Sequence, residues 1–332
     1  MREVYRSWKN FAEEALNYDV KNAYEMKDIE RIVVLGMGGS GIVGDVLQAI
    51  VSEYSSLPFV VVKDFHVPKA LVNSRTLVIA VSYSGNTLET IVALEQASRR
   101  TNHVAIVSSN GKLLEWASSR RVPFIKLREG LAPRAAFPLL LYGTIKLLTT
   151  LGIDLIPQQL IDESVEVLGM VTKAECDAFT IANFLKDSKL PLIVSSQRYA
   201  SLAIRFKNEL NENSKLPAKV ELVPEAFHND IVGWEHTRND ECCLVLLSDL
   251  EYENKLLKFY ADYLFDHGFR ILSFDPIGSN ALARIMYGFL VAGLASVDLA
   301  KIRGIDPLAT ESIAMYKKFV KELQSSIAIE LS

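Results

Sequence analysis

Thr76-Leu-Val-Ile-Ala-Val-Ser-Tyr-Ser-Gly-Asn-Thr87 joins an apolar run to a small polar turn, and a helical pattern from Leu88 to Arg99 follows. An unbroken apolar run of this length, bounded by a turn, reads as a strand buried on both faces, the habit of a parallel sheet. Strand, turn and helix in that order gather Ser82, Ser84 and Thr87 near the first backbone N–H groups of a helix. Such N-termini carry unpaired donors and a partial positive charge. The geometry suits an anion, and a phosphate first of all.

The same unit recurs outward from this stretch. Arg31-Ile-Val-Val-Leu35 is an earlier strand, turned by Gly36-Met-Gly-Gly-Ser-Gly41 into a helix from about Ile42 to Val51. Phe59 to Val62, Val104 to Val107 and Val122 to Leu127 supply further strands, and an opening helix covers about Tyr5 to Asn22. A long apolar helical region runs from Pro133 to Leu151, with more helix from Gln158 to Lys186. The pattern then resumes with strands at Leu190 to Val194, Cys242 to Leu247 and Arg270 to Phe274. Helices at about Arg198 to Asn213, Glu251 to His267, Asn280 to Arg303 and Pro307 to Gln324 complete it. Strands alternating with helices predict an α/β protein of two doubly wound, mainly parallel sheets. The expected domains are residues 1–152 and 153–332, a loose repeat. The second half lacks a copy of Ser82 to Thr87, its corresponding strand end reading Leu247-Ser-Asp-Leu. One half is therefore expected to bind the anion and the other to supply reactive groups.

Composition excludes several classes of function. A net charge of −4 arises from interspersed signs, without the basic stripe that nucleic acid demands. The N-terminus lacks the apolar core of a signal peptide, and the apolar stretch Ile285 to Val297 falls short of the about 20 residues needed to cross a bilayer. A cytoplasmic protein without membrane contact is expected. Cys176, Cys242 and Cys243 read as buried small residues in a reducing compartment. With the five histidines scattered, no metal site is expected.

The glycine turn has two readings. Gly36-x-Gly-x-x-Gly41 after a strand also fits the dinucleotide fingerprint, with Asp64 as the ribose carboxylate. Ser40 inside the turn, beside the hydroxyls of the neighbouring one, favours a phosphomonoester, whose three free oxygens exceed what one helix end satisfies. Helix capping by Thr87 would account for one hydroxyl of the set.

Gly38-Gly-Ser-Gly41 with Ser82-Tyr-Ser-Gly-Asn-Thr87 resembles the sugar isomerase (SIS) domain. Phe206-Lys-Asn-Glu-Leu-Asn-Glu-Asn-Ser-Lys215, Glu225-Ala-Phe-His-Asn-Asp230 and Asp306-Pro-x-x-Thr310…Ile313…Lys317 extend the likeness to the bifunctional phosphoglucose/phosphomannose isomerases. It covers about residues 30 to 320. The resemblance implies two SIS domains, a homodimer with a shared active site, and no metal or other cofactor. It implies interconversion of glucose 6-phosphate or mannose 6-phosphate with fructose 6-phosphate. Ser40, Ser82, Ser84 and Thr87 would hold the phosphate, Gly39 would also bind substrate, and Arg134 would lie beside the reacting carbons. Glu209 would be the base, His228 and Lys317 would open the ring, and Thr310 would leave room for both C2 epimers. Another SIS-type isomerase, or a sugar-phosphate-binding regulator, is the competing expectation.

The chemistry asks for such groups. Ring opening needs an acid and a base, and moving a proton between C2 and C1 needs one carboxylate that collects and returns it. A cation must stabilise the enediolate oxygen. Glu209 borders the helical stripe Ala203, Phe206 and Leu210, with Glu212 three residues on as an alternative base. Arg205 and Glu209 also stand at i, i+4, as in an ordinary ion pair. Arg134 follows Pro133, a favoured first helical residue, where a cation opposes the helix dipole unless an anion is near.

Overall fold

The computed structural model describes the backbone of residues 1–330 and the side chains of residues 1–323. Its helices are α1 (Arg2–Arg6), α2 (Trp8–Leu16), α3 (Gly38–Tyr54), α4 (Leu88–Ser98), α5 (Lys112–Arg120) and α6 (Phe137–Thr150). They continue as α7 (Gln158–Glu166), α8 (Val171–Leu185), α9 (Ala200–Glu209), α10 (Glu251–Asp266), α11 (Ala281–Ile302) and α12 (Glu311–Glu330). The strands are β1 (Arg31–Leu35), β2 (Phe59–Val62), β3 (Thr76–Val81), β4 (Val104–Ser108) and β5 (Phe124–Lys126). In the second half they are β6 (Leu192–Ser196), β7 (Lys219–Val223), β8 (Cys242–Leu246) and β9 (Arg270–Phe274).

Two all-parallel sheets result, ordered β2-β1-β3-β4-β5 and β7-β6-β8-β9. Both are doubly wound about their first strand, and in each the order reverses beside it, at β1/β3 and at β6/β8. Such switch points are where open α/β sheets leave a crevice beyond the strand carboxyl ends. β3 is buried along its whole length, as its unbroken apolar run requires.

The chain divides into two compact units whose boundaries are not a single cut at 152/153. Lys9–Pro157 forms an N-terminal unit together with residues 310–330, and Gln158–Ala309 forms a C-terminal unit with Met1–Trp8. The expected opening helix accordingly breaks at Ser7, whose hydroxyl turns back to donate to the Glu3 carbonyl at 3.0 Å. At the other end, α12 belongs with the N-terminal unit because Val320 is buried there and Tyr316 bonds Glu89 of α4.

α11 is the apolar helix that the sequence offers for a membrane, and by length and composition it passes that test. It is instead the central helix of the C-terminal unit, with 78% of its most apolar window buried against α7, α8 and α9. β7 escapes sequence reading. It is an edge strand, half-exposed along most of its length, and Lys219 and Glu221 break the apolar run expected of a parallel strand. Cys242 and Cys243 are buried as expected, but Cys176 lies exposed on the outer side of α8.

Candidate active site

The N-terminal unit builds a cradle at its β1/β3 switch point. α3 starts at Gly38, directly after β1, and α4 starts at Leu88, after the Ser82 to Thr87 turn. Neither helix start accepts a side-chain cap, the arrangement in which first-turn amides can meet an anion. Thr87 occupies the cap position of α4 without capping it; its hydroxyl instead meets Ser82 Oγ at 2.9 Å. Capping therefore explains none of these hydroxyls.

Ser40 Oγ accepts the Tyr83 amide at 3.1 Å, tying the glycine turn to the hydroxyl turn. Ser84 is half-exposed, its Oγ accepting the Asn86 amide at 3.4 Å. Tyr83, missed in the sequence, anchors the turn. Its carbonyl accepts the Ser109 amide at 3.0 Å and the Ser109 hydroxyl at 2.6 Å. Its own hydroxyl donates to the Arg128 carbonyl and accepts the Leu131 amide. An aromatic residue between two serines gave no signal, since its partners come from distant loops.

Arg134 is buried in the same unit, beside the glycine turn. A Cβ added to Gly39 would sit 3.5 Å from the Arg134 Cα. The helix-dipole argument changes, however: α6 begins at Phe137, and Arg134 lies in the preceding turn, where Ala135 and Ala136 amides both donate to the Ala132 carbonyl. Asp64, the dinucleotide reading's ribose ligand, accepts the His66 amide at 3.2 Å within its own turn.

α12 reaches the cradle through Tyr316, whose hydroxyl donates to Glu89 Oε1 at 2.7 Å in the first turn of α4. That hydrogen bond and burial push the Tyr316 hydroxyl up to about 12. Lys317 is the next residue and exposed, and Thr310 is half-exposed just before α12.

The C-terminal unit treats its equivalent switch point differently. Ser195 and Ser196 are the last residues of β6, and beside it stands a carboxylate of the chain's own. Asp249 accepts from Arg198 Nε at 3.0 Å and Nη2 at 3.2 Å, and from the Tyr199 hydroxyl at 3.0 Å. Burial raises the Asp249 carboxyl, but Arg198 outweighs it and holds the group below its ordinary value. The anion position of the second sheet is thus filled internally.

Glu209, the expected base, lies in the interior of the C-terminal unit. It is 1% exposed and paired with Arg205, and its Oε2 accepts from the Tyr5 hydroxyl and from Asn213 Nδ2, each at 2.7 Å. The i, i+4 ion pair seen in the sequence is real, but internal rather than solvated. Beyond Glu209 the chain winds into a π-turn, Leu210–Ser214, ended by Lys215 in the left-handed region at φ 53°. Glu212 lies on this turn, half-exposed, so the alternative carboxylate is the accessible one. His228 ends a short 3-10 turn after β7 and is exposed.

The chain matches the SIS domain model over residues 25–118 and the model described as bacterial phospho-glucose isomerase C-terminal SIS domain over residues 174–320. A bifunctional phosphoglucose/phosphomannose isomerase of Aeropyrum pernix is 33% identical, the match covering 99% of this chain and all of that one. A D-glucosamine-6-phosphate 4-epimerase of Sulfolobus acidocaldarius is 34% identical over 90% of this chain and 91% of its own. Among solved structures, the C-terminal domain of glucosamine-fructose-6-phosphate aminotransferase from Francisella tularensis superposes with a TM-score of 0.71. It is 13% identical and covers 92% of this chain and 96% of its own, a likeness of fold.

Proposed function

This chain belongs to the bifunctional phosphoglucose/phosphomannose isomerase family, and from that premise we propose how its residues divide the work. The reaction interconverts glucose 6-phosphate or mannose 6-phosphate with fructose 6-phosphate through ring opening and a cis-enediolate. It moves protons only and asks for no cofactor. The phosphate rests on the uncapped starts of α3 and α4, with Gly39, Ser40, Ser82, Ser84 and Thr87 around it. That cradle at the β1/β3 switch point is the observation that carries the reading.

Arg134 supplies the cation that stabilises the enediolate oxygen, and Lys317 and His228 serve ring opening. Thr310 keeps the C2 face open to both epimers. Glu212 takes the part of base in place of Glu209. A base must reach a carbon-bound proton, and a carboxylate already holding an arginine, a tyrosine and an asparagine in the interior does not. Half-exposed Glu212 meets that requirement.

A homodimer with a shared site is part of the same proposal, and the placement of the two groups supports it. α9 runs back beside β6, so Glu212 lies at the end of the sheet where β7 begins, and His228 lies after β7's other end. A five-residue strand spans on the order of 15 Å, which favours the two groups serving different sites of one chain. His228 from a second copy closes that gap. A cytoplasmic location belongs to the same reading.

Coupled assays with each hexose 6-phosphate in the presence of a chelator test the activity. Glu212→Gln is expected to lower kcat by about 10² to 10⁴ while melting temperature and inorganic phosphate binding stay put. Mixing Glu212→Gln with His228→Ala subunits should restore part of the turnover. A Glu212→Gln enzyme with full kcat removes the base assignment, and a mixture that stays inactive removes the shared site. Because one relative is named an epimerase, product analysis of an amino-sugar phosphate belongs in the same experiment. C4 inversion without ketose formation would replace the isomerase reading.

A further inference from the structure

The first helix of the chain ends in the interior of the C-terminal unit. Tyr5 is fully buried, its ring lying against Gly293 of α11, where an added Cβ would come within 2.2 Å of a ring carbon. Its hydroxyl reaches Glu209 Oε2, and that same oxygen accepts Asn213 Nδ2. Asn213 Nδ2 also donates to Ser296 Oγ at 2.9 Å, and Ser296 donates on to the Gly293 carbonyl at 2.8 Å. Burial, and then the Glu209 carboxylate, push the Tyr5 hydroxyl well above its ordinary value, so it remains a donor.

Two features of this cluster call for an explanation beyond packing. A carboxylate–arginine pair taken out of water is commonly no more stable than apolar side chains of the same volume. The Arg205 guanidinium is nevertheless held among aromatic rings, 5.8 Å from the Trp8 centroid and 5.4 Å from that of Phe289. The second feature is location. Glu209 immediately precedes the Leu210–Ser214 turn and Asn213 lies on it, the two bonded at i, i+4, and this turn is wound as a π-helix. Such turns are rare, cost regular hydrogen bonding and concentrate at functional sites. Winding one extra residue into a turn rotates the side chains on it by roughly 100° relative to a regular helix. Glu212 is on that turn.

We propose that Tyr5, Glu209 and Asn213 are positioning residues: they clamp the 210–214 turn in its π-helical form from inside and so aim Glu212. The proposal rests on Glu212 being the base. It gives the first helix a catalytic purpose, since Tyr5, together with buried Trp8, carries residues 1–8 into the C-terminal unit's interior.

Tyr5→Phe keeps the ring against Gly293 and removes only the hydroxyl, while Ser296→Ala frees the far side of Asn213. For Tyr5→Phe, kcat should fall about tenfold to hundredfold, as for a base displaced by a fraction of an ångström to an ångström. KM for fructose 6-phosphate and inhibition by inorganic phosphate should stay within about twofold, because binding groups are untouched. Amide exchange should accelerate at residues 210–216 with the rest of α9 and α11 unchanged. Ser296→Ala should give the same pattern more weakly. Wild-type kcat and unchanged exchange in Tyr5→Phe would overturn the proposal. Equal losses of kcat and phosphate binding would overturn it too, as the mark of a merely structural bond. Glu212→Gln measured alongside separates the two readings. If it is inactive while Tyr5→Phe is normal, only the positioning role fails; if it is fully active, the base assignment fails.

Discussion

At Gly85 the backbone has φ +64°, and an added Cβ would stand 1.6 Å from the Asn110 carbonyl oxygen. Only glycine fits, because the hydroxyl turn folds directly onto the loop after β4. Gly85→Ala should lose roughly 2–4 kcal/mol of stability, with thermal melts in the presence and absence of inorganic phosphate as the measure. A variant with unchanged melting temperature would mean the turn tolerates another path. Ser84 and Thr87 act more locally. Removing both hydroxyls should raise KM for hexose 6-phosphates about tenfold or more, since a hydrogen bond to a charged group contributes about 1.5–3 kcal/mol. kcat should change little, and an unchanged KM would move the phosphate elsewhere. Glu209 gives the opposite case. Glu209→Gln leaves Arg205 buried without its counter-charge and should cost about 3–5 kcal/mol, read by urea unfolding. A carboxylate that served only as base would show no such loss.

Among the elements, α12 is held on α4 by a small set of contacts, the Tyr316–Glu89 hydrogen bond and buried Val320 among them. Its Ile313, Met315, Phe319 and Leu323 remain exposed. Tyr316→Phe should therefore release the helix more than it destabilises the unit, costing about 1 kcal/mol globally because the ring is itself half in water. Faster amide exchange along α12, with a raised KM from displacement of neighbouring Lys317, is the expected result. Exchange unchanged along α12 would show that apolar contact alone seats it. β6 and β8 illustrate how a repeated element can be put to another use. The crevice proposed to receive an outside anion in the N-terminal sheet has a counterpart in the C-terminal one, beside which Asp249 pairs with Arg198.

Over the whole molecule, charge is unevenly invested. The carboxyls of Glu163, Glu175, Asp230, Glu241 and Asp249 all lie in the C-terminal unit. In each, burial is outweighed by partners such as Lys219 on Asp230 or Arg6 and Arg2 on Glu175, leaving the group below its ordinary value. A lowered folded-state value contributes stability that is present above the unfolded value and lost as pH falls through the folded one. Glu221 and Asp298, raised by burial, oppose this in the same unit but are fewer. Acidification below about pH 4 should therefore weaken the C-terminal unit first. Tryptophan fluorescence distinguishes the units, Trp8 and Trp234 reporting on one and Trp116 on the other. Loss of the Trp116 signal before that of Trp234 would contradict the assignment.

The alternation of apolar runs and helices determined by itself that this is an α/β protein of two parallel sheets, because a strand buried on both faces leaves no polar alternation. It also determined the cradle: Ser82 to Thr87 is local in sequence, and a strand–turn–helix sets its own geometry. Only tertiary structure decided which of two carboxylates three residues apart is accessible. Both lie near one end of one helix, and the choice depends on Tyr5, some two hundred residues away, and on Ser296, both invisible to periodicity. Tertiary structure likewise placed residues 1–8 and 310–330 in units opposite to their place in the chain, hid the edge strand β7, and filled the second crevice with Asp249. Local propensity reports what a segment can form, whereas burial and pairing depend on partners that folding brings from elsewhere.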